Sequence, residues 1–475
     1  MGWALMMALD LGGNWGSEFA RLSILQRVGT AALWQVMPPY PGEAPATPVD
    51  LAARYQEWGV FRAAGPGATK KVANDVQTTL ATARFGSDWR ENAAQGAIDW
   101  VAQLGEVDGK GSNNWVVAGT RTKSGKPLLA NDPHLALGAP AIWYFARLSA
   151  PPAPGNPGGR GLDVIGATLP GLPTVVLGRT AGVAWGFTNT GPDVQDLYLE
   201  RINPDNPREY RTPQGWAPFE LREERIAVKG KPEVVQVVRH TRHGPVLSDA
   251  QTFHADVIDT NRHVLSLRWT ALDEGNTTVS AGYRGNFAQT VPELLSAYAD
   301  YHTPMQNLVA ADTLGETAYE AIGRVPLRRE DNDIQGVAPA PGWDARYDWA
   351  GWLPRERNPR MDHGSIARKG WHATANQRIH PAAFAHFLGA DWNTPERFQR
   401  IEALLGAKTQ HDADSLRAVQ ADIVSLSTQR LLPVLRAVKG NRHPIADQAL
   451  ELMRNFDGHM RPDAPAPLVL SLIHI

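Results

Sequence analysis

Apolar residues in this chain change their period of recurrence twice along its length, and that alternation restricts the architectures open to it. The first third reads mostly as helix. From Asn113 the spacing becomes that of strands, and from about residue 412 it returns to helical. An order of helices, then many strands, then helices favours stacked sheet and helix layers over a repeated βαβ unit. Residues 17–34, SEFARLSILQRVGTAALW, place Ser17 as an N-cap and Glu18 in the first turn, where a carboxylate suits the helix dipole. The proline-rich run at 37–49 ends that helix, and residues 88–104 form a further helix ahead of the loop GEVDGKG. Beyond it, NNWVVAGTRT and KPLLAND flank Lys123-Ser124-Gly125 as a hairpin. Strands are expected at 162–168, 173–179, 182–189, 196–202, 222–229, 233–241 and 264–270. A helix is expected at 290–300, a hairpin at 311–323, and a helix at 412–437 kinked by Pro433.

The 475 residues suffice for one large domain or a few ordinary ones, with 43% hydrophobic and 20% charged residues to build a sizeable core. A formal net charge of -2 gives no general attraction to nucleic acid or to an anionic membrane. The absence of cysteine excludes disulfides, thiolate metal sites and a cysteine nucleophile together. No apolar run is long enough for a membrane span, and MGWALMMALDLGG lacks the basic region and cleavage site of a signal peptide. Residues 2–9 read as the middle of a buried helix without caps. The final six, LSLIHI, match a translated sequencing adapter, so 470–475 are expected to be a scar; the alternative is an apolar terminal strand.

One junction stands apart. In KGSNNWVVAG a polar, glycine-rich loop runs through Ser112 straight into a strand. A Gly-Ser pair alone is an ordinary turn. Taken with Asn131-Asp132-Pro133-His134, with GVAWGFTNTGPDVQDLYLER at 182–201 and with GWHATANQRIHP at 370–381, it resembles the penicillin acylase family of N-terminal-nucleophile hydrolases. The resemblance runs from Ser112 to about residue 410, and more weakly through the helices around 3–64. It implies an α/β (α+β) fold, the αββα four-layer sandwich. It also implies that the chain cuts itself between Gly111 and Ser112. Residues 1–64 would then be the remnant of a helical first chain, 65–111 a spacer removed on cleavage, and 112–469 a second chain incomplete at its C-terminus. The two chains would stay together as a heterodimer. The implied activity is hydrolysis of linear carboxamide bonds in a small-molecule acyl amide, and the implied location is the periplasm. The alternative is a non-catalytic truncated remnant, or a strand-rich binding module, of the same fold.

The chemistry accounts for the serine's position. A hydroxyl is a poor nucleophile until a base takes its proton. The α-amine freed at Ser112 would be that base, with an ordinary pKa of about 7.7–8.0. By resemblance, the oxyanion donors are the backbone N–H of Asn189 and the side-chain amide of Asn376. His134 stands where classical penicillin G acylases have glutamine and where many cephalosporin and acyl-homoserine-lactone acylases have histidine, behind the amine or serine. Arg397 corresponds to an arginine that supports the oxyanion asparagine. A structural calcium is implied on Asp193, Asp196 and the carbonyl of Gln195, with Glu18 from the first chain. A further family aspartate is not evident near Ala383–Phe387. Leu135, Leu177 and Phe187, with Met6 or Met7, are the expected pocket lining; being apolar, they favour an acyl chain or an arylacetyl group.

Overall fold

The computed structural model describes residues 7–8, 11–62, 111–135, 139, 141–152, 159–250, 253–438 and 444–472. At its centre, strand Gly111–Val117 pairs antiparallel with Leu128–His134 on one side and Trp371–Thr374 on the other. Alternation along this strand sorts its side chains. Trp115 and Val117 point outward with Ala130 and Ala373, and are covered by Ile401 and Leu405 of helix Glu396–Gly406 and Leu416 of helix Ala413–Gln420. Val116 points the other way, towards Val309, Ala311 and Tyr319 of a second sheet.

That second sheet has seven antiparallel strands, in the order Arg360–Met361, Thr317–Ile322, Gln306–Asp312, Val183–Asn189, Leu177–Arg179, Leu162–Thr168 and Tyr144–Ala150. Its far face carries Trp185, Phe187, Leu308 and Ala310 against Ala281 of helix Thr278–Gly285 and Val291 and Leu294 of helix Val291–Ala297. Helix, sheet, sheet and helix therefore stack as the four expected layers.

The two sheets are joined by a polar seam as well as by apolar contact. Asn131 donates through Nδ2 to the carbonyls of Asn113 and Phe187 at 3.0 and 2.9 Å, and accepts from the Phe187 N–H at 2.9 Å. Gly186 permits this approach, since a Cβ there would sit 2.7 Å from Asn131 Oδ1. Beside it, buried Asn114 accepts from Thr374 Oγ1 and donates to the carbonyl of Asn307 at 3.1 Å. Each polar group removed from water here has a partner, the condition on which such burial is tolerated.

A smaller sheet, His263–Trp269, Gln195–Arg201 and Ala340–Pro341, receives helix Trp15–Val36. Phe19, Leu22 and Leu25 bury themselves among Leu197, Leu199, Leu265 and Leu267. Asn14, not Ser17, precedes this helix, and Ser17 lies inside it. The amide of Asn14 does not cap the helix; it bonds the 193–195 segment instead. The strand expected at 173–179 shortens to Leu177–Arg179, because the side chain of Asn286 takes both the N–H and the carbonyl of Val175. Strand Tyr144–Ala150 escaped the sequence reading, being a largely exposed edge. The helix expected at 412–437 is two, Ala413–Gln420 and Leu426–Ala437, with Pro433 inside the second. Leu470 lies in helix Pro465–Leu472 and packs with Leu432 and Met453, so the segment begins as helix and not as strand, and residues 473–475 fall outside the described residues. The expected helix at 88–104 and the spacer up to residue 110 fall outside the described residues. Among the described residues no helix is long and apolar enough to cross a membrane.

Candidate active site

Ser112 is the second residue of its strand and is buried. Its N–H donates to Asn376 Oδ1 at 2.6 Å. Asn376 follows strand Trp371–Thr374, which pairs beside the serine strand, so sheet pairing delivers it to this end. Its φ of 65° lies in the left-handed region, an uncommon conformation outside glycine that asparagine tolerates better than most residues. Three contacts hold it there. It accepts from Ser112 N–H, accepts from Arg397 Nη2 at 3.0 Å, and donates through Nδ2 to the Asn189 carbonyl at 2.8 Å. Asn189 ends strand Val183–Asn189; its own amide donates to the Leu11 carbonyl at 2.6 Å and accepts from Gln306 at 3.2 Å.

Arg397 ties the group together from the first turn of its helix. Nη1 donates to the Ser112 carbonyl at 3.0 Å and to Asn113 Oδ1 at 2.9 Å. Burial pushes its guanidinium below the usual range, against the pull of Asp132. Glycine at 111 keeps clear of this side chain, since a Cβ would stand 3.0 Å from Nη2.

His134 pairs in register with Gly111, across the strand from the bond in question. Its Nε2 lies 3.2 Å from Asp132 Oδ2, which also accepts weakly from Asn113 Nδ2 at 3.5 Å. The hydrogen bond to Asp132 holds the imidazole above its ordinary pKa of 6.5 despite partial burial, and the same bond holds Asp132 below the usual carboxylate range. A raised imidazole pKa means the attraction is fully present below about pH 6.5 and fades as pH climbs through the raised value. NMR titration of His134 is therefore expected to give a midpoint above 6.5, and Asp132→Asn to lower it; an unmoved midpoint would show that the pair does not set it.

Ser112 opens onto a cleft of about 840 Å³, counting its mouth, which Leu135, Leu177, Phe187 and Met7 also line. Thr174, Gly282 and Tyr301 line the same cleft. Asn189 lines the same cleft beside the serine. The chosen apolar positions thus share one cavity with the nucleophile candidate; Met6 lies outside the described residues.

Glu18, Asp193 and Asp196, which are not among the residues lining that cleft, converge with all three buried and one oxygen of each inside a 4.8 Å span. Burial first, then the charges of Asp196 and Asp193, raise the Glu18 carboxyl well above its usual range. Burial likewise raises Asp193, against the pull of Arg328. The backbone carbonyl of Gln195 points at the Asn14 amide, 3.0 Å away.

Sequence reading missed Asp132 as the partner of His134, though Asp132 lay inside a quoted motif. It missed the seam asparagines too, although strand alternation from Val116 places Asn114 on the inter-sheet face. Arg328, which reaches both Asp193 and Asp196, had no local signal.

Four layers, with a buried serine at a central strand's start and a cleft beside it, define the N-terminal-nucleophile hydrolase fold. A solved thermostable penicillin G acylase from Alcaligenes faecalis superposes with a TM-score of 0.60 at 23% identity, covering 74% of this chain and 61% of that one. The chain belongs to the penicillin amidase family, whose sequence profile matches residues 1–474. It is 30% identical over 483 aligned positions to the acyl-homoserine lactone acylase QuiP of Pseudomonas aeruginosa, covering 96% of this chain and 51% of that protein. It is 30% identical to the penicillin acylase 2 proenzyme of Pseudomonas sp. strain SE83 (93% and 52% covered) and 28% identical to the penicillin G acylase of Escherichia coli (73% and 39% covered). The chain spans about half the length of the curated relatives it matches.

Proposed function

We propose that this chain carries the nucleophile of an amide hydrolase that becomes active by cutting itself ahead of Ser112. The observation that carries the reading is the bond to Asn376 Oδ1 from the N–H of Ser112, a residue that lines an apolar cleft. In the first stage Ser112 Oγ attacks the Gly111 carbonyl carbon, the acyl group moves from nitrogen to oxygen, and water hydrolyses the resulting ester. His134, paired opposite Gly111, flanks this step.

The freed α-amine then takes the Ser112 hydroxyl proton as Oγ attacks a substrate amide. Charge gathers on the former carbonyl oxygen, where the Asn189 N–H and one Asn376 Nδ2 hydrogen stabilise it; the other Nδ2 hydrogen stays on the Asn189 carbonyl. Arg397 is a positioning residue, since it holds Asn376 Oδ1 and so aims the opposite, donating end of that amide. Collapse of the intermediate expels the amine, and water releases the acid from Ser112. Residues 1–64 remain bound to the second chain through Phe19, Leu22 and Leu25, which supports a heterodimer after loss of the spacer 65–111. Export to the periplasm follows from the family resemblance and belongs to the same reading.

The cleft's lining favours an uncharged acyl group, and a relative named as an acyl-homoserine lactone acylase supports N-acyl-homoserine lactones as substrates. Release of fatty acid from long-chain N-acyl-homoserine lactones tests this; rapid release of phenylacetate with no fatty acid would replace it with the penicillin G type. Gly282 gives a sharper probe of chain length. Gly282 lines the cleft, and a Cβ there would meet only Thr174 Oγ1, at 4.0 Å, so the position has room for a side chain. Gly282→Leu is expected to cut kcat/KM for the longest chains by about 10-fold or more while short chains react normally, since each displaced CH₂ forfeits about 0.8 kcal/mol. Equal losses at every length would place the acyl chain elsewhere.

A further inference from the structure

We propose that the Glu18, Asp193 and Asp196 cluster is closed by the protein's own guanidinium, Arg328, which takes the place of a bound divalent cation. A buried carboxylate cluster requires positive charge or donated hydrogen bonds. Calcium meets such a need with six to eight oxygen ligands that are free to turn towards it. Here most of the oxygens are already engaged by nitrogen. Asp193 accepts from Asn14 Nδ2 at 2.5 Å on one oxygen, and its other oxygen forms an ion pair with Arg328 Nη2 at 3.0 Å. Asp196 accepts from the same Nη2 and, on its second oxygen, from Trp349 Nε1 at 2.7 Å. Glu18 accepts the Leu197 N–H at 3.0 Å. Four of the six carboxylate oxygens thus accept hydrogen bonds from nitrogen and a fifth is ion-paired to Arg328, while Glu18 Oε1 has no hydrogen-bond partner among the described residues. The Gln195 carbonyl, the backbone oxygen expected to complete a calcium site, accepts from Asn14.

The arginine is housed rather than adventitious. Its side chain is 1% exposed. Gly336, at φ 74°, lies flat against it, where a Cβ would stand 2.3 Å from Nη2 and 2.5 Å from Cζ. The ring of Phe387 covers the guanidinium with its centroid 5.4 Å from Cζ, a cation–π distance. Strand Pro326–Arg328 pairs with Trp349–Trp352, so one pairing supplies both donors to Asp196. Phe387 also lies in the 383–387 stretch where no further aspartate is found. An apolar ring in place of a carboxylate suits a resident guanidinium and not an additional metal ligand. Because Glu18 and Asn14 precede residue 65 and the aspartates follow residue 112, this organic cation would pin the first-chain segment to the rest.

The proposal stands on the cluster's geometry and does not depend on the reaction at Ser112. It is tested on the purified chain by calcium content after gel filtration in calcium-free buffer, and by thermal melting in excess EGTA and in excess CaCl₂. Sub-stoichiometric calcium and a Tm indifferent to both additions are expected. Stoichiometric retained calcium, or a Tm that falls in EGTA, would overturn the proposal. Arg328→Gln, which removes the charge, is expected to lower the Tm by roughly 3–5 °C and to make it rise with added calcium, because it strands buried carboxylates. An Arg328→Gln protein that melts like wild type would also overturn the proposal. Should that variant not fold, the wild-type calcium and EGTA measurements decide alone.

Discussion

Ser112→Ala is expected to leave the chain uncut and to lower amide hydrolysis by about 10⁴-fold or more, the scale seen when a hydrolase loses its nucleophile. Two separate losses make the effect large. Without Oγ nothing can attack the Gly111 carbonyl, so the α-amine is never released and the base is missing as well. An alanine chain freed by another protease would still lack the atom that forms the acyl-enzyme. The hydroxyl is a small part of a buried strand, so the fold should survive: Asn376 Oδ1 bonds the backbone N–H of residue 112 and Arg397 its carbonyl, and neither contact uses the side chain. Mass spectrometry of the purified protein checks the first loss. Wild type should show a fragment whose N-terminus reads Ser-Asn-Asn-Trp, and the alanine variant should not. If wild type stays a single chain under conditions in which it is folded, the self-cleavage mechanism and the base with it must be abandoned.

Asn376→Ala should follow in size, with kcat lower by about 10²–10³-fold and KM little altered, as for loss of one oxyanion donor. The split between the two constants carries the argument: a donor that meets the oxygen only when it becomes charged raises kcat without tightening ground-state binding. The backbone adds a complication. At φ 65°, alanine bears a left-handed strain of about 1–2 kcal/mol, which by itself could loosen the loop. Asn376→Gly removes the same amide without that strain, so the two variants should lose similar activity while glycine melts higher. Activity restored in the glycine variant would mean the amide matters for backbone geometry and not for charge.

Much of the catalytic end was legible because its signals are local. Glycine, serine and a strand-forming run sit side by side at 111–117, and alternation along that run already sorts Trp115 and Val117 from Asn114 and Val116. Asn189 ends a strand that periodicity locates at 182–189, whereas strand Trp371–Thr374 ahead of Asn376 carried no periodic signal and its asparagine was placed by the family resemblance. The cap of the first helix was less legible. Ser17 has the right chemistry for an N-cap, but Asn14 forms tertiary bonds to the 193–195 segment, and the helix starts behind it. Chain-local rules cannot see a bond of that span.

What the order of residues decided alone is the layering and the serine's place at the head of a strand, because the period of apolar side chains and the turn chemistry act within a few neighbours. What packing alone decided is which groups meet: Arg397 with Asn376, His134 with Gly111, and Arg328 with two aspartates more than a hundred positions away. These contacts follow from strand register and from room left by glycines at 111, 186 and 336, and both exist only once the sheets have closed on each other.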